Sequence, residues 1–123
     1  MSGSLVKISE TTLSGTVSSV TLLGIDSTFD VYKVVINNAE VTTNQTDIKL
    51  RFTESDTPNT TANYDSAQFH LSAGQAFNEQ QETNATSMDL SLNIGSDTGE
   101  AFNGIIYIYS ASDSGAYTYC SYE

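Results

Sequence analysis

Apolar and polar residues alternate along most of this chain, and the spacing typical of amphipathic helices hardly appears. The clearest case is the stretch 87–94, where Met88, Leu90, Leu92 and Ile94 alternate with small polar residues. Successive side chains of a β-strand point to opposite faces, so a period of two indicates half-buried strands. The pattern therefore predicts an all-β protein.

Eight segments carry this pattern, and loops rich in Ser, Thr, Asn, Asp and Gly separate them. The predicted strands are 5–8, 17–25, 29–36, 48–52, 67–71, 87–94, 101–110 and 116–122. Strand 29–36 is apolar on both faces, which predicts a central position in its sheet. Eight short strands with turn signals between them predict an antiparallel, jelly-roll-like β-sandwich. We expect residues 1–14 to form an N-terminal arm with the first strand, and residues 15–123 to form one sandwich domain.

The alternation also predicts which side chains face the core. Ile48, Leu50 and Phe52 are expected to point inward, and so are Ala67, Phe69 and Leu71, which leaves His70 on the solvated side of its strand. Turn signals at 97–99 and 113–115 predict an antiparallel meander of the last three strands. The polar stretch 74–86 is interpreted as a long loop or a short exposed helix.

Charge and composition limit the partners. The net charge is −11, from 15 acidic residues against four basic ones, so nucleic acid and anionic membranes are unlikely partners. Hydrophobic residues make up 38% of the chain, which predicts a thin core that gains stability by packing against other copies. We expect a protein that is made in a cytoplasm and does not insert into a membrane, since neither a signal peptide nor a long apolar run is present.

Residues that could carry out catalysis are scarce. His70 is the only histidine, and no sequence motif marks a nucleophile or carboxylate beside it. Cys120 is the only cysteine and is interpreted as a small, half-buried apolar residue. We therefore predict that the protein is not an enzyme and uses no cofactor.

Oxygen ligands for a hard cation are plentiful in two regions, and calcium prefers such ligands. Their spacing does not match an EF-hand, so solvated loops are favoured over a calcium site. The residues concerned are Glu54, Asp56, Asn59, Asn63 and Asp65 in one loop, and Asp97, Glu100 and Asp113 in later turns.

Five tyrosines are concentrated near the C-terminal end: Tyr107, Tyr109, Tyr117, Tyr119 and Tyr122. On neighbouring antiparallel strands, tyrosines of one face can meet as cross-strand pairs. If that face is exposed, the tyrosines are candidates for a protein interface or for stacking on a host glycan. The alternative is that they form an edge of the core with their hydroxyls in water.

Five motifs follow one another along the chain, at 17–32, 32–38, 50–53, 63–65 and 104–109. In this order they resemble a family of β-rich structural proteins of tailed phages, especially marine and cyanobacterial ones. The stretch 17–32, VSSVTLLGIDSTFDVY, is similar to the start of that family, and 32–38, YKVVINN, to its first hydrophobic strand. The motifs LRFT at 50–53, NYD at 63–65 and GIIYIY at 104–109 resemble later family strands in the same order. The resemblance covers roughly residues 15–110.

The resemblance implies a virion component that assembles as an oligomer, usually a trimer, with other virion proteins. It would be a tail fibre or appendage domain, or a capsid decoration protein. Family members usually continue past the I-Y strand to a closing segment that this chain lacks, so we expect the last strands to be where a partner binds. A receptor-binding module for host glycans is the competing hypothesis, and a calcium-stabilised bacterial adhesin-like module is a third.

Overall fold

The computed structural model describes residues 4–71 and 77–123, which form an all-β structure. The part of the chain that is described contains no helix, and thus none long and apolar enough to cross a membrane. Its strands are Val31–Ala39 (β1), Lys49–Leu50 (β2), Thr53–Glu54 (β3), Thr57–Pro58 (β4), Tyr64–His70 (β5), Asn78–Ala85 (β6), Met88–Asp89 (β7), Phe102–Tyr109 (β8) and Tyr119–Tyr122 (β9).

The main sheet has three antiparallel strands in the order β1-β8-β9. Its central strand is β8, which is rich in β-branched and aromatic residues and pairs on both sides. The prediction of a central strand at 29–36 is therefore wrong, because β1 lies at the edge of the sheet. The second apolar face of β1 does not pack on another layer, because Val31 and Val35 point outward and are exposed.

A small core lies between the inner face of the main sheet and the β2–β7 pair. Ile106 and Ile108 of β8 are almost fully buried, beside Tyr32 of β1 and Leu90. The predicted inward residues Ile48, Leu50 and Phe52 pack against this cluster. The side-chain directions predicted for 48–52 are confirmed, although only Lys49 and Leu50 form ladder pairs.

The predicted strand 87–94 is much shorter in the structure, and only Met88 and Asp89 are in a strand. The Ile48 carbonyl accepts bonds from both Leu90 N–H (2.8 Å) and Ser91 N–H (3.4 Å), and the Ser91 hydroxyl accepts the Ile48 N–H. A side-chain oxygen thus replaces a backbone partner, which interrupts the ladder. Asp89, predicted on the polar face, is buried.

Strands β5 and β6 form a separate antiparallel hairpin. The predicted strand 67–71 lies largely in β5, but its faces are reversed: Phe69 and Leu71 are exposed, while Gln68 and His70 are half-buried. The reason is a polar contact with the main sheet, because the Tyr122 hydroxyl donates to Gln68 Oε1.

The polar stretch predicted as a loop or helix forms strand β6 over Asn78–Ala85, since the facing strand β5 supplies its backbone partners. The remaining residues of that stretch before Phe77 lie outside the described residues.

The segment from Ser4 to Asp30 contains none of the two strands predicted there, 5–8 and 17–25. A strand is defined by its ladder, and within the described chain no backbone group of residues 4–25 bonds to another backbone group. The alternation in this segment is therefore present without a partner strand.

The C-terminal turns are confirmed, but the meander is not. Glu100 N–H donates to the Asp97 carbonyl (3.0 Å) and Ala116 N–H to the Asp113 carbonyl (3.3 Å), so each segment turns where predicted. Strands β8 and β9 form a hairpin, whereas β7 pairs with β2 instead of β8. The sheets are small and separate, and the antiparallel all-β class is what the structure shows.

Candidate interaction surface

The outward side of the main sheet, opposite the core, carries a continuous apolar and aromatic surface. Register places its side chains in three rows across the strands, so that they form one layer. We call this layer the outer face, and its residues are Val31, Lys33, Val35, Ile105, Tyr107, Tyr109, Tyr119, Ser121 and Glu123.

The outer face is most open along its two edge strands, β1 and β9, while its side chains on the central strand β8 are half-buried. Val31 is 48% exposed, Val35 61% and Tyr119 66%, although all three lie in a regular sheet. A sheet face of a globular protein normally packs on another layer when it is apolar. The outer face is thus an unpartnered sheet surface.

Three of the five candidate tyrosines meet on the outer face. The rings of Tyr109 and Tyr119 lie 5.9 Å apart at 41°, as a directly opposed cross-strand pair. Tyr107 lies one row away, with the Lys33 ammonium 5.5 Å from its ring centroid. That distance is within the range of a cation–π interaction, which holds Lys33 flat on the face.

The other two candidate tyrosines lie elsewhere. Tyr117 precedes β9 and is 98% exposed, beside the face but not in its rows. Tyr122 points to the opposite side of the sheet, where it packs against the core and bonds to Gln68. Burial, and to a lesser extent the nearby Asp89 carboxylate, raise the pKa of Tyr122.

Sequence reasoning missed the apolar part of this surface, namely Val31, Val35 and Ile105. The signal was present, because the stretch 29–36 is apolar at both phases of the period-two pattern. An apolar second face can mean either a strand covered on both sides or a strand with one uncovered face. The sequence does not distinguish these arrangements.

The electrostatics of the outer face differ from those of the chain as a whole. The chain carries a net charge of −11, yet the three rows hold only two charged residues, the cation Lys33 and, at one end, Glu123. Glu123 ends the third row, because its backbone exchanges two hydrogen bonds with Ile105 and so lies opposite it. The two rows of Val31 and Lys33 therefore present no carboxylate to an approaching copy.

A second group of polar residues joins the β2–β7 pair to its surroundings. Lys49 Nζ lies 2.8 Å from Asp89 Oδ1, and the two residues face each other across the ladder. The hydrogen bond to the buried Asp89 carboxylate is the main cause that raises the pKa of Lys49. The arrangement neutralises a buried charge and has no nucleophile, so we interpret it as structural.

His70, the residue considered for catalysis, lies apart from the loop residues considered for a cation. His70 is half-buried at the end of β5, and its Nδ1 has no hydrogen-bond partner in the described residues; the solvated position predicted for it is wrong. Its strand turns this side toward the protein because Tyr122 bonds to Gln68 on the same side.

The oxygens of the loop 54–65 are largely engaged within the chain. Asn59 Nδ2 donates to Glu54 Oε1 (2.8 Å), Thr61 N–H donates to Asn59 Oδ1 (2.8 Å), and Asp65 Oδ1 accepts Asn84 N–H (2.8 Å). Across residues 4–71 and 77–123, no three His, Cys, Asp or Glu side chains are grouped so that they could hold a metal ion.

The half-buried position predicted for Cys120 is confirmed. Its side chain packs against the core on the inner face of β9, and burial raises the pKa of the thiol to about 11. A thiol in this state is a poor nucleophile.

Comparison with known proteins yields no relative: no family model matches the chain, and neither does any curated protein or any solved structure.

Proposed function

We propose that this protein is a non-enzymatic structural component of a bacteriophage virion, in a tail fibre or appendage or as a capsid decoration protein. It acts through assembly with itself, most simply as a trimer, and with other virion proteins. The single observation that carries the assembly role is the uncovered outer face. The phage context comes from the ordered sequence motifs between residues 15 and 110.

The energetics favour covering this face. Burial of apolar surface contributes about 25 cal/mol per Å², so covering even a few valine and tyrosine side chains contributes several kcal/mol. The sheet adds to this, because its backbone is already fixed by the ladder and loses little entropy on binding. The core beneath it is small, with Ile106 and Ile108 as its fully buried centre. Assembly would therefore raise the stability of each copy.

We further propose that assembly completes a jelly-roll-like sandwich. The inner face of the main sheet is covered by the β2–β7 pair within the chain. A second layer on the outer face, supplied by a partner, would bury both sides of β8. The acidic remainder of the surface keeps the free protein soluble until it meets that partner.

The test is the oligomeric state, measured by analytical ultracentrifugation, together with addition of the purified protein to particles that lack it. We expect a stable oligomer that joins the particles, and we expect Val35→Asp to weaken both. Gln81→Asp is the matched control, since Gln81 is an exposed residue of β6 away from the outer face. A monomer that does not join the particles would refute the proposal.

A second candidate function is recognition of a host surface glycan. The observation that favours it is Tyr117, which stands almost fully exposed beside the Tyr109–Tyr119 pair. Aromatic rings can stack on the apolar faces of sugars. Purified protein should then coat host cells, and Tyr117→Ala should reduce the coating; equal coating by both proteins would exclude this role for Tyr117.

A further inference from the structure

The segment that precedes the main sheet exposes an unusual amount of apolar surface. Its backbone from residue 4 to residue 25 forms no strand or helix, and we call it the extended segment. Nine of its large apolar side chains are exposed: Leu5, Val6, Ile8, Leu13, Val17, Val20, Leu22, Leu23 and Ile25. An accumulation of this kind in a folded protein marks an interaction site.

The extended segment doubles back on itself without forming a ladder. It bends at Ser14 and Gly15, and Ile8 lies against Gly24. A Cβ atom at Gly24 would lie 2.5 Å from Ile8 Cγ2, so only glycine permits this approach; its φ of +98° also favours glycine. The result is two limbs side by side, whose apolar side chains have no layer to pack on.

The attachment of this segment directs it away from the outer face of its own chain. The Tyr32 hydroxyl donates to the Asp26 carbonyl (2.8 Å) and accepts the Asp26 N–H (3.0 Å). Tyr32 points to the inner side of β1, where it belongs to the core. The segment thus leaves the domain on the side of the sheet opposite the outer face.

Charge also fits the two surfaces to each other. Residues 11–25 contain no charged side chain, in a chain with 15 carboxylates. The outer face carries Lys33 in one row and Glu123 at the end of another. The two charged side chains of the extended segment, Lys7 and Glu10, pair with each other. Contact between residues 11–25 and the outer face therefore brings no pair of like charges together.

We propose that the extended segment of one copy packs on the outer face of a second copy. The inference rests on the proposed assembly function and names the partner of that surface as another copy of this chain. Alternating apolar side chains on two extended limbs match a flat, pleated, apolar sheet face, so the donated segment supplies the missing layer. Exchange of this kind links each copy to the next.

Cysteine cross-linking between copies tests the proposal directly. In a Cys120→Ala background, one full-length protein carries Leu23→Cys and a second, distinguishable by a tag, carries Val35→Cys. After mixing and mild oxidation, we expect a disulfide between the two proteins to form at least about tenfold faster than between Leu23→Cys and a control protein carrying Gln81→Cys. Equal rates, or no cross-link between copies, would overturn the proposal.

Sedimentation equilibrium separates this proposal from the proposed function. Leu23→Ser and Val35→Ser should each raise the dissociation constant about tenfold, because each removes an apolar side chain from the contact. Phe69→Ser, at an exposed apolar residue outside both surfaces, should leave it unchanged. If only Val35→Ser weakens association, the outer face is an assembly surface with another occupant and the present proposal fails. If the unaltered protein stays monomeric, both proposals fail.

Discussion

The ion pair between Lys49 and Asp89 leads to a prediction about the stability of the small core. The two residues face each other across the β2–β7 ladder, and the Asp89 side chain is 6% exposed while that of Lys49 is 45% exposed. Replacing Lys49 by Met keeps the aliphatic stem but leaves a buried carboxylate without its cation. Replacing Asp89 by Asn removes the buried charge and lets the Lys49 ammonium turn to water.

The expected changes in the free energy of unfolding follow from the different exposure of the two side chains. Removing one partner of a fully buried pair costs about 3–5 kcal/mol, whereas exposed pairs are worth about 0–1 kcal/mol. Because Lys49 is nearly half exposed, solvent screens part of the effect, and we expect Lys49→Met to lower the free energy of unfolding by about 2 kcal/mol. Asp89→Asn should lower it by no more than about 1 kcal/mol.

Urea denaturation measures both changes. With a slope of about 1.5 kcal/mol per M urea, Lys49→Met should move the midpoint by roughly 1.3 M. Lys7→Met is the matched control, since Lys7 pairs with Glu10 on the exposed extended segment, and it should leave the midpoint nearly unchanged. Equal effects of Lys49→Met and Lys7→Met, or a larger effect of Asp89→Asn, would refute the reasoning.

Alkaline titration gives an independent check on the same pair. The Asp89 hydrogen bond raises the folded-state pKa of Lys49 above its unfolded value. A group of this kind stabilises the folded protein fully below the unfolded pKa, which is near 10.4, and this contribution is lost as pH rises through the folded pKa. The difference in stability between the unaltered protein and Asp89→Asn should therefore shrink only above about pH 10.

Three further predictions concern single side chains. Tyr64→Phe removes the hydroxyl that accepts Phe52 N–H (3.1 Å) and donates to the Asn59 carbonyl (3.0 Å). We therefore expect chemical denaturation to show a free energy of unfolding lower by about 1–2 kcal/mol, and a decrease below about 0.3 kcal/mol would contradict this prediction. Ile108→Ala should lower the free energy of unfolding by about 3 kcal/mol, because Ile108 is the most deeply buried side chain of the core cluster. A decrease below about 1 kcal/mol would show that the core does not lie around Ile108. With a thiol pKa of about 11, Cys120 should react with iodoacetamide at pH 8 roughly 100-fold more slowly than the cysteine of the unfolded chain, and equal rates would contradict its burial. Because the pKa is higher in the folded state, the free energy of unfolding should also fall as pH rises from about 9 toward 11.

The fold class could be predicted from the sequence because alternation determines which side chains can share a face. Strand β8 formed where the β-branched and aromatic run lies, and Ile48, Leu50 and Phe52 point inward as their spacing requires. These elements carry a strong local signal that the tertiary structure reinforces.

Pairing partners could not be predicted, and most errors come from this. The stretch 17–25 is rich in apolar residues, as β8 is, but no described strand pairs with it, since pairing depends on residues distant in sequence. In β5 the apolar residues point outward because a tyrosine from β9 binds Gln68 on the other side. The stretch 78–85 became a strand through its neighbour β5, against the low strand propensity of its Gln, Glu and Asn residues.

The lack of pairing information in the sequence also explains which residues of the outer face were identified and which were missed. Tyr107, Tyr109 and Tyr119 were identified because aromatic residues are conspicuous in any sequence, and the structure brings their rings onto one face. Val31 and Val35 escaped notice because valine on a second face is equally consistent with a buried layer. Only the sheet order shows that this layer is absent within the described chain.

The attachment of Asp26 to Tyr32 also has a mechanical consequence. A tensile force on the extended segment passes first to the Tyr32 hydroxyl and then into β1, which is joined to β8 over seven register pairs. Force applied along an antiparallel pair loads many hydrogen bonds at once, while force applied across it would separate them one by one. In a particle whose subunits are linked through this segment, tension would therefore pass through the β1–β8 ladder, the longest in the described chain. The small β2–β7 and β3–β4 sheets would not carry that tension.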